Sequence, residues 1–156
     1  MISIAKVKMP SKISTTYDYQ PLEFWKHQLR LLKVTRDHNG PVRCSLCTLS
    51  LSTAPVYSAL SYTWGPELPS AKILVDGKTF KVRQNLFQFL QGIRKEEGRY
   101  LGGDYLFIDQ ICIDQSNFEE RNHQVQLMSR IDRLLCPRRL LQQPFRKASH
   151  ASLTAL

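Results

Sequence analysis

Acidic and amide side chains are concentrated directly after an apolar run in the second half of the chain. The segment reads YLFIDQICIDQSNFEERNHQVQLM, from Tyr105 to Met128. Its first five residues, YLFID, have the length and continuous apolarity of a central strand in a parallel sheet that is covered on both faces. In an open α/β sheet, ligands bind just beyond the carboxyl ends of such strands. Asp109 lies at that point, where it could act as a general base, accept a hydrogen bond from a ribose hydroxyl, or cap a neighbouring helix.

The residues after this strand also carry the signals of a helix start. Ser116 and Glu119 fit the S-x-x-E capping box, in which a hydroxyl and a carboxylate each accept a hydrogen bond from a free backbone N–H group. Glu119 and Glu120 fall in the first turn, where the helix dipole favours negative charge. The predicted apolar stripe of this helix comprises Val125, Met128, Ile131 or Asp132, and Leu135. Part of the acidic cluster therefore has a structural explanation.

Four polar residues of the segment have no such explanation: Asp109, Asp114, Gln115 and Arg121. We expect Arg121 to pair with Asp109 or with Asp114, an ion pair that would matter most if it locks a buried loop. Gln124 lies in the next turn of the helix, and we expect its amide to bond back to the same loop. The cluster is therefore either a site of chemistry or a set of contacts that keeps an interaction surface in shape.

The cysteines raise two further kinds of site, a nucleophile and a metal centre. Cys112 has no base assigned to it, and His123 follows eleven residues later, so a buried structural thiol is favoured over a Cys–His dyad. Cys44 and Cys47 have the CxxC spacing of zinc ligands, and His38 could supply a third ligand. No second CxxC or pair of histidines completes a four-ligand set, so we predict no metal site.

Two β-hairpins are predicted to precede the polar segment. The apolar run LRLLKV (Leu29–Val34) and the alternating run VRCSLCTLSL (Val42–Leu51) indicate the first hairpin. The run KILVDGKTFKV indicates the second, because its Asp76-Gly77 pair is preferred in a type I′ turn. Between the two hairpins, aromatic and apolar residues favour a short strand at 57–62, which ends before the Gly65-Pro66 pair.

A helix is predicted after the second hairpin. Asn85 can cap it, and its apolar residues are Leu86, Phe87, Phe89, Leu90 and Ile93. The spacings 86/90/93 and 86/89/93 define one buried stripe. The loop KEEGRYLGGD then ends the helix and contains neither GxxxxGK[ST] nor a strand-flanked GxGxxG, so it is not a phosphate-binding loop. Hairpins that are followed by a helix, a strand and a second helix place the chain in the α/β class.

Length and composition limit the function further. The 156 residues suffice for one domain with a real core, and 42% hydrophobic with 22% charged residues is typical of a globular protein. The net charge of +9 lies in the two ends: residues 1–43 and 133–156 each carry +5, whereas residues 44–132 carry −1. No zinc-finger spacing, aromatic RNA-binding signature or basic heptad accompanies this charge, so nucleic acid is not expected as the partner. No membrane span or signal peptide is recognisable, and we expect a cytoplasmic protein without membrane contacts.

Three separated motifs resemble those of the fungal heterokaryon incompatibility (HET) domain. YSALSYTWG (Tyr57–Gly65) is similar to the family pattern Y-x-ALSY-x-WG, and VRQNLFQFLQGIR (Val82–Arg94) is similar to v-x-x-NL-x-x-aL-x-x-LR. FIDQICIDQSNFEERNHQVQLMSRI (Phe107–Ile131) is similar to WIDaiCINQ-x-x-x-x-ER-x-x-QV-x-x-M-x-x-I. The order and spacing of the three motifs agree with the family, and the resemblance spans residues 29–131.

The resemblance implies a module that triggers growth arrest or programmed cell death when genetically unlike hyphae fuse. It also implies a sandwich of α/β type that is distantly similar to TIR domains, some of which hydrolyse NAD and some of which only scaffold assembly. The residues that it singles out are Tyr57, Ser61, Tyr62, Trp64, Gly65, Asn85, Asp109, Cys112, Asp114, Gln115, Glu120, Arg121 and Gln124. Asp109 is the candidate catalytic residue, whereas Tyr62 and Trp64 could stack on a nucleotide ring or simply pack beneath a loop.

The chain departs from the family pattern in three places. Phe107 replaces a tryptophan and keeps a large apolar side chain. Asp114 replaces an asparagine and adds a charge, which brings a family role of that amide as a donor into question. After Ile131, the aromatic residue, alanine and buried strand of the family pattern give way to DRLLCPRRLLQQPFRKASHASLTAL, which has no acid after Asp132. We therefore expect a truncated or divergent member whose fold is incomplete at its C-terminus and exposes an apolar sheet edge.

These observations divide the chain into a flexible lead-in (1–28), a partial HET domain (29–131) and a divergent basic tail (132–156). The leading hypothesis is an interaction and signalling module of self/non-self recognition. It needs no cofactor and acts by assembly with itself or with other proteins of an incompatibility or cell-death pathway. The second hypothesis is a TIR-like NAD hydrolase in which Asp109 stabilises an oxocarbenium-like centre, although no residue aligns with the TIR catalytic glutamate. The third is an inert, truncated paralogue.

Overall fold

The computed structural model describes residues 15–36, 39–60, 62–95 and 105–134. For residues 128–134 it describes the backbone only. The strands in these ranges are β1 (Gln28–Val34), β2 (Arg43–Ser50), β3 (Tyr57–Ala59), β4 (Ser70–Val75), β5 (Lys78–Arg83) and β6 (Tyr105–Phe107). The helices are α1 (Gln84–Lys95), α2 (Asp109–Cys112) and α3 (Phe118–Leu134). Within the described ranges, no helix combines the length and apolarity that a membrane crossing requires.

The strands form one mixed sheet in the order β3-β6-β1-β2-β4-β5. The strand predicted from YLFID is β6, and it lies in the interior of the sheet between β3 and β1. It pairs parallel with β3, where Ser58 is opposite Leu106, and antiparallel with β1, where Leu32 is opposite Leu106. The α/β class is therefore confirmed, whereas the expectation of a parallel sheet around this strand is wrong on one side. The likeness to a TIR-like sandwich stays a prediction.

Both predicted hairpins are present in the sheet. β1 and β2 pair antiparallel along their whole length, with Val34 opposite Cys44 at the end near the turn. β4 and β5 are joined by Asp76 and Gly77, whose φ angles of 50° and 77° are the positive values that a type I′ turn requires. β2 also pairs parallel with β4, so the two hairpins form one continuous surface.

The most deeply buried strand is β1, which lies two places from the β3 edge of the sheet. Leu29, Leu31 and Leu32 are fully buried, and Leu31 and Leu32 point to opposite faces because side chains alternate along a strand. Both faces of β1 are therefore covered, which is typical of an interior strand. Arg30, which lies on β1 between these leucines, is buried with them and belongs to the candidate site.

Helix α1 packs its apolar face against β4 and β5. Leu86 and Leu90 are fully buried, as the sequence predicts. Ile93 is only partly buried, and the third buried position is Arg94, whose guanidinium donates a hydrogen bond of 2.8 Å to the carbonyl of Gly40. The buried stripe therefore follows a spacing of four residues and includes a cation that the apolar pattern does not reveal.

The predicted cap of α1 is wrong. The helix begins at Gln84, so Asn85 lies inside its first turn. The side-chain amide of Asn85 donates a hydrogen bond of 3.4 Å to the carbonyl of Thr63. Asn85 therefore fastens α1 to the segment after β3, a strand that ends at Ala59 and is shorter than the predicted 57–62.

Residues 15–20 form a segment that pairs with the outer edge of β5 at Thr79, and we call them the N-terminal strap. The backbone N–H of Thr79 donates to the carbonyl of Thr15, and the N–H of Tyr17 donates to the carbonyl of Thr79. The Tyr19 hydroxyl then donates a hydrogen bond of 2.7 Å to the carbonyl of Ile111. The strap belongs to the lead-in at 1–28, which the sequence predicts to be flexible, yet the described part of the lead-in is bonded to β5 and α2.

Candidate functional site

Asp109 lies where the sequence predicts it, just beyond the carboxyl end of β6. Its backbone begins the single-turn helix α2. Carboxylate Oδ2 accepts a hydrogen bond of 2.9 Å from Trp64 Nε1, and Oδ1 accepts one of 2.8 Å from the backbone N–H of Gln110. Burial raises the pKa of Asp109, and the two hydrogen bonds oppose this shift. Both carboxylate oxygens are therefore engaged by protein donors.

Arg83 and Gly65 hold Trp64 against Asp109. The Arg83 guanidinium lies over the Trp64 ring, 5.0 Å from its centroid, and also donates a hydrogen bond to the carbonyl of Gly65. Gly65 has a φ of +71°, which residues with side chains rarely adopt, and a Cβ there would lie 2.5 Å from Asn85 Nδ2. This position therefore requires glycine for two reasons, its backbone conformation and its contact with α1.

Gln110 belongs to the site although the sequence does not single it out. The residue is only 9% exposed, and its Oε1 accepts hydrogen bonds from the Tyr62 hydroxyl at 3.2 Å and from the Arg83 N–H at 3.4 Å. Burial, together with the negative charge of Asp109, raises the pKa of Tyr62. Tyr62, Trp64, Arg83, Asp109 and Gln110 thus form one connected group, which we call the polar node.

The loop after α2 is closed by hydrogen bonds between its own residues. Asp114 Oδ1 accepts from the backbone N–H of Ser116 at 3.0 Å and from the Ser116 hydroxyl at 2.6 Å. Gln115 Nε2 donates a hydrogen bond of 2.8 Å to the backbone carbonyl of Asp109. Asp114 and Gln115 therefore shape the loop that borders the polar node. The Asp114 carboxylate is a hydrogen-bond acceptor within that loop.

Arg121 does not form the predicted ion pair. Its guanidinium contacts the carbonyl of Gln115 at 3.5 Å and lies 5.4 Å from the ring centroid of Phe118. Neither Asp109 nor Asp114 is its partner among the described residues. The pairing expectation is therefore wrong, because Arg121 faces the outer side of α3, where the loop backbone and an exposed ring are within reach.

The start of α3 differs from the predicted capping box by one residue. The cap is Asn117, whose Oδ1 accepts a hydrogen bond of 3.1 Å from the backbone N–H of Glu120. Ser116 instead bonds to Asp114, and Glu119 is exposed. The capping box of Ser116 and Glu119 is therefore wrong, since the neighbouring asparagine caps a helix as effectively as serine does.

Glu120 is not a solvent-facing charge in the first helical turn but half of a buried ion pair. The side chains of Glu120 and Arg30 are each 2% exposed. Arg30 Nη1 lies 2.5 Å from Glu120 Oε1, and Arg30 Nη2 lies 3.1 Å from Oε2, which is the bidentate geometry of an arginine–carboxylate pair. The backbone N–H of Asp114 donates a further hydrogen bond of 2.7 Å to Oε1. Glu120 is therefore bound to β1 and to the loop after α2.

Arg30, like Gln110 and Arg83, is not revealed by the sequence, since nothing in the apolar run LRLLKV marks it as functional. Besides its bonds to Glu120, it donates to the carbonyl of Cys112 at 3.2 Å and to the carbonyl of Gln20 at 2.6 Å. Its guanidinium also lies 4.8 Å from the ring centroid of Tyr19. Arg30 thus joins the N-terminal strap, α2 and α3 at one point.

Gln124 bonds to a different element from the one expected. Its side chain is fully buried, and Nε2 donates a hydrogen bond of 2.8 Å to the carbonyl of Gln28 at the start of β1. The expected bond to the loop after α2 is therefore wrong. Val125, predicted to lie on the buried stripe of this helix, is 61% exposed, and Leu127 is buried instead. Met128, Ile131, Asp132 and Leu135, the rest of the predicted stripe, lie outside the residues whose side-chain surroundings are defined.

Cys112 is a structural thiol. Its side chain is fully buried, where the Ile108 N–H donates to Sγ at 3.3 Å and Sγ lies 3.7 Å from the Leu106 carbonyl. Burial raises the pKa of Cys112 to about 12, so the thiol is protonated at neutral pH and is a poor nucleophile. His123 lies against Phe24, at a ring-centroid distance of 4.6 Å, so it is committed to another contact.

The remaining candidates lie outside the polar node. Tyr57 is buried, and its ring packs at a tilt on Phe107 at a centroid distance of 6.5 Å. Ser61 and His38, the latter the suggested third zinc ligand, lie outside the described residues. In the parts of the chain that the structure describes, no three His, Cys, Asp or Glu side chains converge on a metal site.

An open groove of about 430 Å³ lies beside the polar node. Its walls are formed by the N-terminal strap, β5, α2, the loop after α2 and Trp64, and its lining includes Tyr19, Trp64, Phe80, Lys81, Arg83 and Gln110. Arg30 covers one face of the Tyr19 ring, and Arg83 covers one face of the Trp64 ring. The lining also includes Asp18 and Asp114, so the groove combines aromatic walls with polar groups of both charges.

Comparison with known proteins identifies the relatives of this chain. Residues 57–133 match the family described as heterokaryon incompatibility protein (HET). The chain is 33% identical over 124 residues to Heterokaryon incompatibility protein 6, OR allele, of Neurospora crassa, a match that covers 72% of this chain and 18% of that protein. It is 34% identical over 105 residues to Vegetative incompatibility protein HET-E-1 of Podospora anserina, which covers 65% of this chain and 7% of that protein. No solved structure matches the chain.

Proposed function

Because the chain belongs to the heterokaryon incompatibility (HET) family, we propose that it is an interaction and signalling module of fungal self/non-self recognition. Both relatives are named as incompatibility proteins, and a role of this chain in incompatibility follows from that kinship. The chain spans less than a fifth of the length of either relative, so we limit the proposal to the action of this module. In our proposal the module acts in the cytoplasm, assembles with protein partners and leads to programmed cell death.

One observation carries the choice of assembly: the HET motifs meet in the polar node. Trp64 from the first motif bonds to Asp109 from the third, and Arg83 from the second bonds to Gly65 in the first. These contacts join segments that are 45 and 18 residues apart. These motif residues form their hydrogen bonds with one another and so fix the shape of the surface around them. A binding module requires a surface of fixed shape.

The same contacts argue against a catalytic role for Asp109. A carboxylate that stabilises an oxocarbenium-like centre must face the substrate, whereas both oxygens of Asp109 already accept hydrogen bonds from Trp64 and Gln110. The buried thiol of Cys112 is protonated at neutral pH. Purified protein incubated with NAD should therefore release no nicotinamide above a protein-free control, and steady release that Asp109→Asn abolishes would replace our proposal with the hydrolase alternative.

Inducible expression of the 156-residue chain in a filamentous fungus tests the proposed function. We expect growth arrest and loss of viability, measured as colony extension and as uptake of a membrane-impermeant dye. Trp64→Phe should weaken the arrest because it removes the donor to Asp109 and keeps an aromatic ring. Trp25→Phe is the matched control, since Trp25 is 76% exposed and lies outside the polar node. Normal growth at a protein level confirmed by immunoblot would contradict the proposal.

A further inference from the structure

The open groove lies on an incompletely paired stretch of the β5 edge. Thr79 uses both its backbone N–H and its carbonyl to pair with the N-terminal strap. Because backbone groups alternate in direction along a strand, Lys81 and Arg83 also direct theirs away from β4. The Arg83 N–H meets the side chain of Gln110. No described residue pairs with the outward N–H and carbonyl of Lys81.

The strap leaves the β5 edge just before it would reach Lys81. Its parallel pairing is confined to Thr16 opposite Thr79. Continued parallel pairing would bring Tyr17 and Tyr19 to the two sides of Lys81, but the Tyr19 side chain bonds to the carbonyl of Ile111 instead. Along the β5 edge, Thr79 therefore pairs with the backbone of the strap, and the Arg83 N–H bonds to the side chain of Gln110. The groove lies at Lys81, between these two positions.

Gln110 supplies a second group without a partner at the same place. Its Oε1 is used twice, by Tyr62 and by Arg83. Its Nε2 carries two N–H donors that bond to no described residue, although the side chain is only 9% exposed and lines the groove. Because solvent in the groove reaches Nε2, an acceptor that enters the groove can take one of these donors. The groove therefore presents a backbone donor and acceptor at Lys81 and a side-chain donor at Gln110.

We propose that this groove binds an extended peptide segment of a partner protein, which pairs by its backbone with Lys81 and donates one of its carbonyls as acceptor to Gln110 Nε2. This inference rests on the proposed function, in which the chain is an interaction module. Addition of a strand to a sheet edge is a common way to bind peptides, because main-chain hydrogen bonds supply affinity and alternate side chains supply specificity. The aromatic walls at Tyr19 and Phe80 suit an apolar side chain of the peptide.

A planar nucleotide base fits this groove less well than a peptide does. Stacking requires free aromatic faces, whereas Arg30 covers one face of Tyr19 and Arg83 covers one face of Trp64. The ring of Phe80 meets Tyr17 and Tyr19 edge to face. An extended backbone needs only the edge groups of Lys81, which are available.

A phage-displayed library of random dodecapeptides, selected on the full 156-residue chain, tests the proposal. The strongest selected peptide is synthesised, and its Kd is measured by fluorescence anisotropy on the wild type and on two pairs of variants. Lys81→Pro removes the outward N–H, which a sheet edge tolerates, while Lys81→Ala keeps that N–H. Gln110→Glu keeps an acceptor for Tyr62 and Arg83 but replaces the donor, whereas the exposed Val125→Ala lies elsewhere.

We expect Lys81→Pro and Gln110→Glu each to weaken binding about tenfold or more, and Lys81→Ala and Val125→Ala to leave Kd within about twofold. Thermal melts confirm that each variant is folded, and amide shifts of Lys81 and of the Gln110 side chain in NMR spectra locate the peptide. Equal affinity of all variants, or shifts confined to another surface, would overturn the proposal. If adenosine monophosphate competes with the peptide and shifts the Lys81 amide signal, the groove binds a nucleotide and the proposal is overturned. If the selected peptides resemble TTYDYQ, the sequence of the N-terminal strap, and the protein forms concentration-dependent dimers, the groove serves strap exchange between copies and the proposal is also overturned.

The binding experiment and the growth experiment fail independently. Peptide binding that survives while expression leaves growth unchanged would remove the cell-death proposal and keep the groove. Growth arrest that is unaffected by both Lys81→Pro and Gln110→Glu would keep the signalling role and show that this groove does not serve it.

Discussion

The indole nitrogen of Trp64 donates a hydrogen bond of 2.9 Å to the carboxylate of Asp109, 45 residues further along the chain, and thereby joins two HET motifs. The bond sits between the segment after β3 and the start of α2. Because an indole N–H only donates and an ionised carboxylate only accepts, the two side chains satisfy each other. The integrity of the polar node can therefore be tested through this pair.

Trp64→Phe removes the donor and keeps a ring beneath Arg83. Asp109 Oδ2 then loses its partner in a partly buried place, so we expect the free energy of unfolding to fall by about 1–3 kcal/mol. Urea denaturation followed by circular dichroism measures the change. Trp25→Phe, at an exposed tryptophan, should stay within about 0.5 kcal/mol of the wild type. An equal loss in both variants would contradict the assigned bond.

Arg30→Met should be the most destabilising single change, because it leaves the Glu120 carboxylate buried without its counter-charge. We expect a loss of about 3–5 kcal/mol in the free energy of unfolding, measured by urea denaturation. Adding Glu120→Gln should restore part of this loss, since the amide is neutral and can still accept from Asp114. The half-exposed Glu23, which pairs with Lys26, is the control, and Glu23→Gln should cost less than about 1 kcal/mol. Additive losses at Arg30 and Glu120 would show that the two side chains are not coupled.

The carboxyl group of Asp109 should titrate above the ordinary aspartate value of 3.8, because burial raises its pKa. Between the unfolded and the folded pKa, the native state binds more protons than the unfolded state, so stability decreases as the pH rises through that window. NMR detection of the side-chain carbon gives the midpoint, and urea denaturation across the same pH range gives the stability. Asp109→Asn should remove this part of the pH dependence. A midpoint below 3.8 would show that the Trp64 and Gln110 hydrogen bonds outweigh burial.

Gly65→Ala should destabilise the protein by more than Gly40→Ala does. Both glycines have a positive φ, but a Cβ at Gly65 would lie 2.5 Å from Asn85 Nδ2, whereas a Cβ at Gly40 would meet nothing within 4 Å. We expect about 1 kcal/mol for the backbone conformation alone and a further loss at Gly65 from the contact. Thermal denaturation of both variants measures the difference. Gly65→Ala combined with Asn85→Ala should recover the contact part, and no recovery would assign the whole effect to the backbone.

Features that depend on neighbouring residues could be predicted from the sequence. The Asp76-Gly77 turn requires only two positive φ angles, and the alternation of Val42 and Cys44 in the first hairpin follows from strand geometry. Asp109 was also found, because an apolar strand followed by a carboxylate is a local signal. The helix cap was misplaced by one residue, since Ser116 and Asn117 are both good caps and only tertiary contacts decide between them.

Features that depend on distant residues could not be predicted. Arg30 and Glu120 are 90 residues apart, and a single arginine in an apolar strand usually reaches solvent. Gln110 looks like an ordinary surface amide until β5 and the segment after β3 are placed beside it. The mixed pairing of β6 was missed for a similar reason, because an apolar run of that length does not specify the direction of its neighbours.

The position of Arg30 has a consequence for how this domain opens. One guanidinium bonds to the carbonyls of Gln20 and Cys112 as well as to Glu120, so release of the Glu120 segment would leave a buried charge unpaired, and release of either other segment would remove a hydrogen bond from that charge. We therefore expect openings that release one segment alone to be rare, and hydrogen exchange of the three segments to occur through a shared, larger fluctuation. The N-terminal strap and the loop after α2, which border the groove, are therefore expected to open together with the Arg30–Glu120 pair.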